Sequence, residues 1–217
     1  KKDGVEEVAT IQYFIDKKEV VVVEKPPVVE PEPTPEPTPE PTPTPKPTPT
    51  QPEILYHYEN SQPAVLRNDY LTLVNKQYRL SPDYVPSNLV AVPKTIATNA
   101  NQRINAEFLE QFLLLRQEAA TQNLTINLHS CYRSYDTQMA IYKRYLKNDP
   151  QSKVDTYSAR PGHSEHQLGL ACDFAATFRT LGGFTGTKEA KWMAENGHNY
   201  GFILRYPKDK TDITGYM

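Results

Sequence analysis

This chain is short of basic clusters, sulfur and long apolar runs. Lys and Arg number 24 against 26 Asp and Glu, and with a formal charge of −2 and no basic tract it lacks the footprint of a nucleic-acid binder. No stretch of eighteen apolar residues exists, so nothing in the given chain reads as a membrane span. No secretory leader is visible, yet the chain starts at Lys1 instead of Met and reads as cut, which leaves export open. Cysteine is scarce: Cys131 and Cys172 are the only two. Proline is scarce too, except in one place.

That place is residues 26–52, which hold thirteen of the twenty prolines in Pro-Thr and Pro-Glu-Pro-Thr repeats. Fixed backbone angles and missing donors exclude helix and sheet there. In polyproline II such a stretch would span roughly 80 Å, a semi-rigid spacer. Ahead of it, Val8–Ile15 and Val20–Val23 flank Asp16–Glu19 and read as a β-hairpin, and residues 1–25 are too few for a core, so they are taken as the tail of an upstream domain. Residues 53–217 suffice for one domain. Helices are expected near 105–121, 136–146 and 188–196, with strands near 124–129, through Leu168–Cys172 and near 202–206. Helices beside a small antiparallel sheet make an α+β fold. Ile104, Phe108, Phe112, Leu115 and Ala119 share one stripe, and Trp192 and Met193 read as core. Ser134 and Thr187 are expected N-caps.

The chemistry concentrates in two short segments. His166 and Asp173 lie seven residues apart, each offering a zinc-ligand atom, and Asp173 would end an apolar strand where an uncompensated carboxylate costs several kcal/mol. A metal is one compensator; an arginine or backbone amides are the others. Catalytic zinc takes three protein ligands and keeps a position for water, so a third ligand is needed. His198, at a helix end, is not expected to supply it. Arg133 falls at a corner between a strand and a helix, where a fixed guanidinium suits a carboxylate.

Taken together, Ser130-Cys131-Tyr132-Arg133-Ser134 with Gln138, Ala159-Arg160-Pro161-Gly162-His163-Ser164-Glu165-His166-Gln167 with Asp173, and Tyr200-Gly201-Phe202 through Pro207 resemble the VanY/LdcB-type zinc carboxypeptidases of bacterial cell-wall peptides. The likeness runs from about Leu71 to Met217. It implies that His166 and Asp173 are zinc ligands, that Arg133 holds substrate carboxylate or transition-state charge, that Gln138 and Ser164 line the substrate site, and that the zinc lies in a cleft at the sheet. Family members carry their catalytic Glu and third ligand, a His, in a Glu-Pro-Trp-His segment just after an Ile-Thr-Gly-Tyr stretch. Here that stretch is Ile213–Tyr216 and the sequence ends at Met217, so both groups are expected beyond it. A fragment of a longer product is the favoured reading over a truncated, inactive protein, because the sequence looks cut at both ends.

The resemblance implies zinc-dependent release of a terminal D-amino acid, D-Ala, from peptidoglycan stem peptides; the proline-rich spacer suits a wall- or membrane-tethered enzyme of the cell envelope, and the catalytic domain is expected to be monomeric. The alternatives are a non-catalytic peptidoglycan-binding module with a degenerate metal site, or an endopeptidase. The family fold also sets Cys131 and Cys172 on neighbouring strands, as a disulfide or as inert core thiols.

Overall fold

Asn105 shows how the chain builds its main support. Its side-chain oxygen accepts from the amides of Glu107 and Phe108, so one residue satisfies two orphan donors and starts the longest helix. In this computed structural model, which describes residues 56–68, 70–176 and 183–216, that helix is α1, Ala106–Thr121. The anticipated hairpin and proline-rich spacer lie outside the described residues. Phe108, Phe112, Leu115 and Ala119 recur at helical spacing and are fully buried, as is Ile104 just before the helix. Burying each phenylalanine contributes about 2–3 kcal/mol. Phe108 meets Phe202 edge-on with ring centroids 5.0 Å apart, and Phe112 packs against Phe174 at 5.7 Å. α1 thereby carries segments distant in sequence.

The strands are short. β1 (Gln62–Pro63) and β2 (Tyr78–Arg79) pair in parallel, β3 (Leu89–Ala91) and β4 (Arg103–Asn105) antiparallel, and β5 (Asn127–Ser130) and β6 (Asp173–Ala175) antiparallel. The fold is α+β, but the anticipated sheet consists of three two-stranded pieces, one of them parallel. Residues 96–98 flank the other side of β5: the Leu128 amide donates to Ile96 and its carbonyl accepts from Thr98, both at 2.9 Å. β5 is thus held from two sides, which makes it a rigid base.

The remaining helices are α2 (Tyr135–Tyr145), α3 (Gln151–Val154), α4 (Lys188–Asn196) and α5 (Thr211–Thr214). Ser134 caps α2 by accepting from the Thr137 amide, and Thr187 caps α4 by accepting from Ala190. Trp192 and Met193 on α4 are buried in the main core. Among the described residues no helix is long and apolar enough to cross a membrane.

Two expected strands do not form. In place of a strand through Leu168–Cys172, residues Glu165–Leu168 make a 3-10 turn closed by Gly169 at φ 71°. A Cβ at Gly169 would stand 2.7 Å from the Leu89 side chain, so both the backbone conformation and the close approach require glycine. Leu168 and Leu170 were read as strand residues because they are apolar; they instead fill a small cluster with Val74 and Leu80. Asp173 therefore opens a strand where it was expected to end one. Residues 202–206 form no ladder either, since Phe202 enters the core while Arg205 and Tyr206 turn to a buried carboxylate.

Candidate metal and substrate site

Three chain segments meet at the ends of β5 and β6. Ser130 is registered against Asp173 after a one-residue irregularity in β5, which sets Asp173 beside the loop leading to α2. In that loop the Tyr132 amide donates to Arg103 at 2.9 Å and the Arg133 amide to His166 at 3.2 Å, while the Asn105 amide holds Gly169 at 2.9 Å. Backbone bonds thus lock the segments carrying Arg133, His166 and Asp173 before any side chain acts.

His166 and Asp173 converge. Nε2 of His166 and Oδ1 of Asp173 are 3.6 Å apart, both side chains almost fully buried. The other ring nitrogen of His166, Nδ1, lies 2.7 Å from the Cys131 carbonyl and must donate its proton there, which leaves Nε2 as a lone pair. Burial, then the Arg133 charge, lowers the imidazole pKa and keeps the ring neutral. Burial alone would raise the Asp173 pKa, but the Arg133 charge beside it opposes this and the carboxyl stays below its ordinary value. Two buried acceptors therefore face each other, and neither Nε2 nor Oδ1 has a hydrogen-bond partner. Such an arrangement is unfavourable without a cation between them. Two ligands at zinc distances of about 2.0–2.2 Å in a tetrahedral site stand roughly 3.4 Å apart, so the separation fits that metal. The donor chemistry, one imidazole and one carboxylate, fits as well.

Among the described residues no third His, Cys, Asp or Glu joins the pair. His198 lies exposed on the 3-10 turn Gly197–Tyr200, away from the role of substitute ligand.

Arg133 stands over the carboxylate, with Nη2 3.6 Å from Asp173 Oδ2. Nη1 donates to Gln138 Oε1 at 2.9 Å, and Gln138 Nε2 in turn donates to the Ala159 carbonyl at 2.7 Å. The buried amide thereby fixes the guanidinium's orientation. Nε of Arg133 is buried and has no partner, one more unmet polar atom beside the pair. Ser164, also buried, precedes the 3-10 turn that carries His166 and makes no side-chain capping bond to it.

Sequence reasoning missed a second shell of support. Glu165, next to His166 and 1% exposed, accepts from Arg205 Nε at 3.0 and 3.1 Å and from the Tyr206 hydroxyl at 3.1 Å. Burial raises its pKa, opposed by Arg205 and Tyr206. Tyr206 packs edge-on against Tyr216 at 5.3 Å, and Lys76 lies over the Tyr216 ring at 4.8 Å while its Nζ donates to Gly215 at 2.7 Å. The Ile213–Tyr216 stretch is thus docked against the support of His166. The one available signal was a charged residue inside a buried run, which demands a partner; that partner lies 40 residues away and has no local signature.

Comparison with known proteins places the chain in a family. The family model described as VanY, D-alanyl-D-alanine carboxypeptidase, matches residues 101–217. The chain is 38% identical over 152 residues to YodJ of Bacillus subtilis, covering 67% of this chain and 56% of YodJ, so it spans little more than half of that relative. The solved LdcB LD-carboxypeptidase superposes with a TM-score of 0.61 at 36% identity, covering 66% of this chain and 70% of that one. A variant of the vancomycin-resistance D,D-pentapeptidase VanY, solved with Zn(II), superposes with a TM-score of 0.53 at 30% identity, covering 66% and 80%. From motif order, fold and site together, the chain belongs to the VanY/LdcB-type D-alanyl-D-alanine carboxypeptidase family.

Proposed function

We propose that this protein is a zinc-dependent carboxypeptidase that removes a terminal D-amino acid, D-Ala, from peptidoglycan stem peptides in the cell envelope. One observation carries the reading: a buried lone pair on His166 and a buried carboxylate oxygen on Asp173, 3.6 Å apart with no donor between them. The family description, and the Zn(II) complex of the related VanY, support metal and substrate class.

His166 Nε2 and Asp173 Oδ1 would hold the zinc, which lowers the pKa of its water and polarises the scissile carbonyl. The Cys131 carbonyl keeps His166 in the ligating tautomer. Arg133, braced by Gln138, offers positive charge to the substrate's terminal carboxylate or to the developing oxyanion. Ser164, at the entrance to the 3-10 turn, is placed to line the substrate path. A substrate that is part of the wall requires an enzyme outside the membrane.

The test is D-alanine release from muropeptides ending in D-Ala, using the zinc-loaded protein that carries this domain. Loss of Arg133 to Ala should reduce kcat/KM about 10²–10³-fold while zinc content stays unchanged. Stoichiometric zinc with binding of muropeptide but no release of D-Ala would favour the non-catalytic wall-binding module instead, and internal cleavage would indicate an endopeptidase.

A further inference from the structure

We propose that Cys131 and Cys172 become covalently joined as the chain folds, bolting together the two segments that support the metal-site residues. Both cysteines are free thiols in this structure and wholly buried, with their Sγ atoms 2.9 Å apart. They flank the register of Ser130 against Asp173, so the pair sits beside the last rung of β5 and β6. That separation is within about 1 Å of the roughly 2.05 Å length of a disulfide bond.

Their position gives the bond a purpose. The Cys131 carbonyl accepts from His166 Nδ1 at 2.7 Å, and Cys172 precedes Asp173 and donates from Sγ to that residue's carbonyl at 3.1 Å. A bond between the sulfurs would fix the anchor of His166 relative to the backbone of Asp173. β5 and β6 share only a short ladder, so the covalent tie would replace hydrogen bonds that a longer sheet would supply.

The chemistry is thiol–disulfide exchange with a small-molecule or protein disulfide as oxidant. The thiolate of one cysteine attacks a sulfur of glutathione disulfide and expels one glutathione thiolate; the second cysteine then attacks the mixed disulfide and expels the other. Two protein thiols lose two protons and two electrons, and one glutathione disulfide becomes two thiols. Neither sulfur is exposed once the domain is folded. Exchange must therefore precede burial. Nothing in this step involves the metal or a substrate.

The experiment refolds the full chain from denaturant with glutathione disulfide or, in parallel, with a thiol reductant, and counts thiols after denaturing again. The oxidised product should show no titratable thiol, a linked peptide pair containing Cys131 and Cys172, an unchanged near-UV spectrum, and a melting temperature several degrees above the reduced form. The bond spans 41 residues of chain, whose freedom in the unfolded state it would restrict. Reduced protein that is already folded should resist the same oxidant. The double variant Cys131→Ala, Cys172→Val should melt alike under both conditions; should it not fold, the two wild-type preparations decide. Two free thiols after oxidative refolding to the native spectrum would overturn the proposal, as would glutathione adducts, links between chains, or a linked product with a perturbed spectrum or a lower melting temperature.

Discussion

The core beneath α1 and the wall of the site are equally dry, and they solve burial in opposite ways. Around Phe108, Phe112, Leu115 and Phe202 the buried surface is apolar and every contact is its own reward. In the wall, His163, Ser164, Glu165, His166, Gln167 and Asp173 are all buried although polar. Some are held by partners: Glu165 is clamped by Arg205 and Tyr206, and Gln167 Nε2 donates to the carbonyls of Ser81 and Tyr84, although Gln167 Oε1 has no partner. Others keep buried atoms without partners, namely Nε2 of His163, Nε2 of His166, Oδ1 of Asp173 and Nε of Arg133. Unmet polar atoms are destabilising by about 1–3 kcal/mol each, so their concentration in one wall marks the place where folding was not the only demand.

Mutation should separate the two regions. His166→Ala is expected to abolish D-alanine release, by more than about 100-fold, because even an outer-shell partner of a metal ligand is worth about 10–100-fold. Its effect on the unfolding free energy of metal-free protein should stay within about 1.5 kcal/mol, since removing the ring loses one hydrogen bond but also ends the confrontation of two acceptors. Phe108→Ala should do the reverse, costing about 3–5 kcal/mol in urea unfolding by leaving a cavity under α1. A His166→Ala variant destabilised as strongly as Phe108→Ala would erase the contrast.

The wall should also answer to pH where the core does not. Burial, opposed by its bond to the Asn75 carbonyl, pushes the His163 pKa down to about 4 from 6.5. The unfolded chain then binds the proton more readily, so stability is intact above pH 6.5 and falls as pH drops from 6.5 to 4, by up to about 3 kcal/mol. Urea unfolding at neutral pH and near pH 4.5, compared between the native chain and His163→Asn, measures this; an equal pH dependence in both would refute the assignment. The smallest effect is at the border. Ser134→Ala removes the cap of α2, next to Arg133, and should cost about 1 kcal/mol by thermal or urea unfolding.

Much of the fold was legible because its signals are local. The stripe on α1 and the caps Ser134 and Thr187 depend on residues within one or two turns, and all appear as read. The segment 168–172 misled because apolar character was read as a strand, while Gly169, with its left-handed backbone, signalled a turn. Residues 202–206 misled for a related reason: their apolar and aromatic residues suit a strand, but side-chain partners elsewhere decide their path. In the site, residue types named the candidates His166, Asp173 and Arg133. No periodicity could name the Cys131 carbonyl, a backbone atom 35 residues from His166, or the clamp of Arg205 on Glu165.

The sequence by itself determined which residue types stand at hand for metal and carboxylate chemistry, and where helices start, because propensity, capping and hydrophobic spacing act over a few neighbouring residues. Tertiary structure alone decided that an imidazole lone pair and a carboxylate oxygen face each other at 3.6 Å, buried, with a guanidinium held over them. That arrangement is made by backbone hydrogen bonds between segments tens of residues apart, and such bonds use atoms that every residue carries and no sequence pattern distinguishes.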